Sequence, residues 1–98
     1  MRKLLESIEI VNLRPGQIIT VPELEKLLWK VRSDFQYLTI TMKNNKYITI
    51  NYNRDMTISI SSNLTDIWVI REIQYVKNYY AIDRISNYLF KWIKFYNQ

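Results

Sequence analysis

The stretch Tyr37–Ser61, YLTITMKNNKYITINYNRDMTISIS, decides the fold. Leu38, Ile40 and Met42 alternate with Thr39 and Thr41. Ile48, Ile50 and Tyr52 alternate with Thr49 and Asn51, and Met56, Ile58 and Ile60 with Thr57 and Ser59. Period-two alternation puts one apolar and one polar face on a strand, and the β-branched content suits a pleated, half-buried surface. Three strands are predicted. Their connections fix the pairing. Residues directly opposite in a hairpin share a face, and the apolar positions are all even-numbered, so each connection must hold an odd number of residues. Lys43-Asn44-Asn45, with Asn45 in the left-handed region, and Asn53-Arg54-Asp55 both satisfy this. The expected register sets Met42 opposite Lys46, Ile40 opposite Ile48 and Ile50 opposite Ile58.

Outward from the strands, the period becomes helical. After Ser61-Ser62-Asn63, Ile67, Ile70, Ile73 and Val76 mark one helix, with Asn63 as its expected N-cap. Ile82, Ile85, Leu89, Trp92 and Tyr96 mark a second, at 3-4-3-4 spacing. The stripes are out of phase, which breaks the helix near Asn78. Asp66 and Asp83 open the two helices, and Lys77, Lys91 and Lys94 close them, as the helix dipole favours. On the other side, Thr20-Val21-Pro22-Glu23 has capping-box spacing with proline in the first turn, and Leu24, Leu27, Leu28 and Val31 form an apolar stripe. A helix from about Pro22 to Arg32 follows. Arg14-Pro15-Gly16-Gln17 reads as a type II turn, in which glycine takes the positive φ. Ile18–Val21 reads as a short strand. Leu4, Leu5, Ile8 and Val11 predict a helix over Arg2–Asn12, although Ile8 and Ile10 also alternate in the manner of a strand end. The fold class is α+β: one domain over residues 1–98, a three- to four-stranded antiparallel sheet with helices on one face.

The composition excludes more than it selects. The 98 residues contain no histidine and no cysteine, the side chains that carry much of the general-base, nucleophile and transition-metal chemistry at neutral pH. A single glycine rules out Gly-rich phosphate loops. Glu23 and Glu25, two apart on a helix, point in different directions and form no acid/base pair. The expectation is a non-enzymatic protein without cofactor or metal. No apolar run approaches the roughly 18 residues of a membrane span. Glu6 and Glu9 interrupt the apolar N-terminal run, so no signal peptide is expected and the expected location is cytoplasmic.

What remains is binding. The formal charge of +5 permits a polyanionic partner. Lys77, Arg84 and Lys91 recur every seven residues with Asn87 and Lys94 near the same line. Lys43 and Lys46 flank one hairpin tip and Arg54 occupies the other. Lys43, Lys46, Arg54, Arg84, Lys91 and Lys94 are therefore the candidate phosphate contacts of a nucleic-acid-binding accessory protein. The competing reading is a solvated helix face and wet turns. The C-terminal segment is crowded with Tyr79, Tyr80, Tyr88, Phe90, Trp92, Phe95 and Tyr96, more aromatics than one face can bury. Phe90, Trp92, Phe95 and Tyr96 are the candidate interface of a homodimer or of a protein-interaction module, the alternative function.

Two resemblances bear on this. Leu13 to Leu28, with its Pro15-Gly16 turn, Thr20-Val21 and Glu23-Leu24, resembles the front of a winged-helix domain. That resemblance implies a recognition helix at Ser33–Met42 and a wing at Tyr47–Ile60 with Arg54 at its tip, and it supplies the alternative fold, a winged helix with a helical C-terminal extension. The bias to Ile, Asn, Lys and Tyr, with Ala81 and Gly16 the only residues of their kinds, points to an AT-rich genome. It is similar to the composition of small orphan proteins of crenarchaeal filamentous viruses, which would imply a role in the cytoplasm of an infected cell.

Overall fold

The computed structural model describes residues 9–98. The elements run β1 (Glu9–Asn12), α1 (Val21–Ser33), β2 (Tyr37–Thr41), β3 (Tyr47–Tyr52), β4 (Ile58–Ser62), α2 (Ile67–Tyr75) and α3 (Ile82–Tyr96). They form an α+β fold with one four-stranded mixed sheet in the order β1-β2-β3-β4. β2, β3 and β4 are antiparallel neighbours, and β1 pairs parallel with β2.

The alternating strands bury their even-numbered residues. Leu38, Ile40, Met42, Ile48, Ile50, Tyr52 and Ile58 enter one core with Leu24, Leu28 and Val31 of α1, Val69 and Ile73 of α2, and Ile85, Leu89, Trp92 and Ile93 of α3. The opposite face carries Asn12, Tyr37, Thr39, Thr41, Tyr47, Thr49, Asn51, Ser59 and Ser61, half-buried or exposed and without a formal charge. Thr39 and Thr49 share a 2.9 Å hydrogen bond there as a directly opposed pair.

The first hairpin has the expected register, Ile40 facing Ile48, with Met42 N–H bonded to the Lys46 carbonyl at 2.7 Å. Asn44 and Asn45 are both left-handed, at φ 61° and 59°. The second hairpin is shifted by two residues: Ile50 faces Ile60, and Tyr52 faces Ile58. Parity still holds, but the turn is Arg54-Asp55-Met56. Met56 N–H bonds to the Asn53 carbonyl, and Asn53 N–H to that of Thr57. Asp55 fixes this choice by accepting from both the Thr57 N–H (3.1 Å) and its hydroxyl (2.6 Å). These bonds hold its carboxyl below the ordinary range, the hydroxyl's first. Met56, expected to point inward, sits instead at φ 66° and exposed.

Three N-terminal and connecting expectations are corrected. Glu9–Asn12 is a strand rather than the end of a helix; the rest of the stretch expected to be helical lies outside the described residues. Ile10-Val11 is β-branched and its neighbour β2 offers a free edge, so pairing wins over helical spacing. The fourth strand is therefore β1, not Ile18–Val21: Ile19 is buried in the loop before α1, and Val21 opens the helix. Asn63 does not cap α2. Asp66 holds that position, while Asn63 accepts from Tyr47 N–H (2.8 Å) and donates to the Asn45 carbonyl (2.9 Å).

α1 begins as its sequence requires. Glu23 N–H reaches the Thr20 hydroxyl at 3.4 Å, and Thr20 N–H the Glu23 carboxylate at 3.1 Å. The backbone bond from Thr20, and then its hydroxyl, hold that carboxyl below its usual range. α1 ends in a Schellman-type turn: Gln36 N–H bonds to the Val31 carbonyl and Phe35 N–H to that of Arg32. Phenylalanine, not glycine, holds the left-handed position, at φ 54°. The stretch that a winged helix would use for recognition is the strand β2.

Candidate functional site

The strands give the molecule two poles. At one lie the β2–β3 turn, the loop before α1 and the end of α3, laced together by side-chain amides. Asn97, 1% exposed, donates through Nδ2 to the carbonyls of Arg14 (2.8 Å) and Gln17 (2.7 Å) and accepts the Lys43 N–H on Oδ1 (2.9 Å). Its own carbonyl accepts from Gly16 N–H, the glycine that the turn places at φ 87°. Polar groups here are used up in structure.

The other pole is built differently. Three connections meet there: Asp34–Gln36 after α1, the β3–β4 turn, and Val76–Ala81 between α2 and α3. The Arg54 guanidinium lies over the Phe35 ring at 5.4 Å. Arg32 lies over Trp29 at 4.1 Å and Tyr79 at 5.3 Å, and its Nη1 donates to the Tyr79 carbonyl at 3.0 Å. Arg84, in the first turn of α3, lies over Tyr75 at 5.7 Å. Tyr79 is edge-on to Tyr80 at 5.1 Å and to Tyr52 at 5.5 Å. The Tyr80 hydroxyl meets the Met56 sulfur at 3.1 Å. Trp29, Met56, Tyr75 and Tyr80 are each more than half exposed.

Three features set this pole apart. Phe35 and Met56 are left-handed, which costs a residue with a Cβ roughly 1–2 kcal/mol. Glycine would relieve both and stands at neither position. The Tyr52 hydroxyl is buried without a hydrogen-bond partner among the described residues, and burial pushes its pKa upward, with the Arg32 charge opposing. None of Arg32, Arg54 and Arg84 has an acidic partner among the described residues, where the ion pairs are Lys30–Glu9 and Lys91–Glu72, both at 2.7 Å.

The six cations read from the sequence divide between the poles. Lys43, Lys46 and Lys94 belong to the amide-laced end, where Lys43 Nζ donates to the Gln98 carbonyl. Arg54 and Arg84 belong to the aromatic end. The two hairpin tips are separated by the six-residue length of β3, roughly 20 Å. Lys91 lies between, bound to Glu72 and over Trp68 at 5.2 Å. The six do not share one face.

The aromatic residues divide as well. Trp92 is fully buried, with Nε1 donating to Glu72 Oε1 at 2.8 Å, so it joins α3 to α2 in the core and is unavailable to an interface. Tyr96 is half-buried and its hydroxyl donates to Asp66. Phe90 and Phe95 line an open depression with Trp68, Lys91 and Lys94. Sequence reasoning missed Trp29, Arg32, Phe35 and Tyr75. One signal was present: Trp29 follows Leu28 on α1 and so leaves the buried stripe, and Arg32 sits one turn on. No protein family, curated protein or solved structure matches this chain. Among the described residues no helix is long and apolar enough to cross a membrane.

Proposed function

We propose that the chain is a non-enzymatic nucleic-acid-binding protein that takes single strands at its aromatic–arginine pole. The observation that supports this is the set of three guanidinium groups, free of acidic partners among the described residues and each lying over an aromatic ring, beside Trp29, Tyr75 and Tyr80, which keep more than half their surface open. Bases of a single strand offer π faces to such rings, and phosphates offer charge to the guanidinium groups. A duplex hides its base faces in the stack, so this surface discriminates against it. The compositional resemblance would place this binding in the cytoplasm of an infected cell, in an accessory role.

The test is anisotropy of labelled single-stranded DNA, single-stranded RNA and duplex DNA at low and moderate salt. Single strands should bind more tightly than duplex, with affinity falling as salt rises. Tyr80→Ala should cost about 1–3 kcal/mol, the value of one lost base stack. Lys43→Glu and Lys46→Glu, at the far pole, should cost much less. Equal losses at both poles would reduce the interaction to net charge, and absence of binding at low salt would end the reading.

A further inference from the structure

β4 is an edge strand, bonded to β3 and to no other strand among the described residues. The Asn53 N–H bonds to the Thr57 carbonyl, and hydrogen-bonded pairs recur at every second residue of an antiparallel ladder. Ser59 and Ser61 therefore bond to Asn51 and Thr49, while Ile58, Ile60 and Ser62 turn their N–H and C=O groups outward. None of these outward groups has a partner among the described residues. Edge strands are ordinarily blunted by charge, proline or a bulge. β4 has none of these: no charged side chain and no proline lies between Asp55 and Asp66, and its register with β3 is unbroken. The opposite edge, β1, has four residues and carries Glu9, paired with Lys30.

The helix layer is open on the same side. Trp68, Glu72 and Tyr75 of α2 meet Phe95, Trp92 and Tyr88 on one flank of α3. The other flank, with Ser86 and Ile93, is buried where α1 packs, and α1 is tied to β1 through Lys30 and Glu9. α2 therefore lies toward β4. The predicted α2 stripe is split by this placement: Ile73 and Val76 are buried, whereas Ile67 and Ile70 are 63% and 39% exposed. At about 100° per residue, Ile70 stands on the flank of α2 opposite the one that meets α3.

We infer that β4 pairs antiparallel with β4 of a second copy of this chain, a property independent of the nucleic-acid reading. A two-fold axis at Ile60 sets Ile60 against its own counterpart and Ile58 against Ser62. These pairs satisfy every outward group of both strands, with about six backbone bonds. Between them, Ser59 of each copy faces Ser61 of the other on the polar side of the sheet, so polar meets polar while Ile60 meets Ile60. The two sheets become one, and Ile70 turns toward the seam. Strand addition takes its affinity from main-chain bonds, so a short seam suffices. Pairing β4 with β1 of the next copy would not close and would grow as a fibre; the charge of Glu9 on that edge opposes it. The β3–β4 turns of the two copies point in opposite directions, which places the two aromatic–arginine poles at opposite ends of the dimer.

Sedimentation velocity of the full chain over a range of concentrations should show a reversible monomer–dimer equilibrium, and exchange of the Ile60 amide proton should slow as the dimer forms. Ser59 and Ser61 are exposed, so charges can be set across the seam without disturbing the core; circular dichroism checks that each variant folds. Ser59→Lys with Ser61→Lys opposes like charges at both facing pairs and should raise the dimer dissociation constant about tenfold. Ser59→Glu with Ser61→Glu lowers the net charge yet should weaken the dimer equally, and mixing the two doubly substituted chains should restore a mixed dimer. Ser59→Lys with Ser61→Glu in one chain opposes unlike charges and should leave the dimer intact. Tyr80→Ala should weaken oligonucleotide binding and spare the dimer, which separates failure here from failure of the nucleic-acid reading. A chain that stays monomeric at millimolar concentration, a doubly lysine-substituted chain that dimerises as the parent does, or growth into larger polymers overturns the inference. So does a lysine–glutamate chain that dissociates as readily as the doubly lysine-substituted one.

Discussion

Replacing Asn97 with alanine should remove about a third of the stability of a typical small domain. The substitution strips the Lys43 N–H and the Arg14 and Gln17 carbonyls of the partners they hold at 2.7–2.9 Å. A buried polar group left unpaired costs about 1–3 kcal/mol. Arg14 and Gln17 are themselves exposed, so water can replace part of what is lost. The lower end applies to each group, giving about 3 kcal/mol out of the roughly 5–15 kcal/mol of a domain this size. With a urea slope of about 2 kcal/mol per molar, the midpoint should fall by about 1.5 M, read from tryptophan fluorescence. Asn97→Asp should be worse near neutral pH. It keeps an acceptor for Lys43 N–H but turns a carboxylate toward two carbonyl oxygens, which raises that carboxyl's pKa in the folded state. The deficit should therefore shrink as pH falls and the group takes up a proton. A loss under about 1 kcal/mol for the alanine variant, or an aspartate variant that improves as pH rises, would refute the claim that amide hydrogen bonds hold this pole together.

Tyr52→Phe should raise stability by about 1 kcal/mol in the same assay, because it deletes a buried hydroxyl without a partner. Tyr96 is pushed up to about 12 by burial and by its bond to Asp66, and burial raises Tyr52 as well. Both lie above the unfolded value of about 10, so the stability they contribute is complete below that pH and lost as pH climbs through the folded values. Urea midpoints alongside tyrosinate absorbance would check this, and Tyr52→Phe should soften the alkaline loss. Met56→Asn should gain up to about 1 kcal/mol, since asparagine tolerates the left-handed region better, while weakening single-strand binding by removing the sulfur that holds the Tyr80 hydroxyl. Gain without loss of binding would detach Met56 from the site.

How far the sequence foretold this differs from element to element. The capping box at Thr20 and Glu23 and the parity of the first hairpin depend on neighbours in the chain, and both are legible. The second hairpin kept its parity but not its register, because the Asp55–Thr57 bonds move the turn one residue along. β1 was the hardest element to read. Four residues carry too little periodicity, and their strand character comes from Leu38–Thr41, nearly thirty residues away. The α3 stripe marked Trp92 as core, but aromatic crowding also suggested it for an interface; only the Glu72 acceptor on a neighbouring helix settles where the indole N–H goes. The aromatic pole was half visible. Arg54 and Arg84 stood out as cations, yet their rings come from Phe35 and Tyr75 on other elements, and Arg32 with Trp29 looked like an ordinary helix surface.

The Asn97 bonds also bear on how the chain reaches its fold. Those to Gln17 and Arg14 join residues 80 and 83 positions apart, so most of the polypeptide must be looped before either of them forms. The entropy of that closure is spent before the contact returns anything, which slows folding in proportion to such distant pairings. The hairpins can assemble from their own residues at any time. The loop from Arg14 to Gln17 has to wait for the last turn of α3, which makes docking of that helix the natural candidate for the slow step, and the loop's amide protons the natural clock for it.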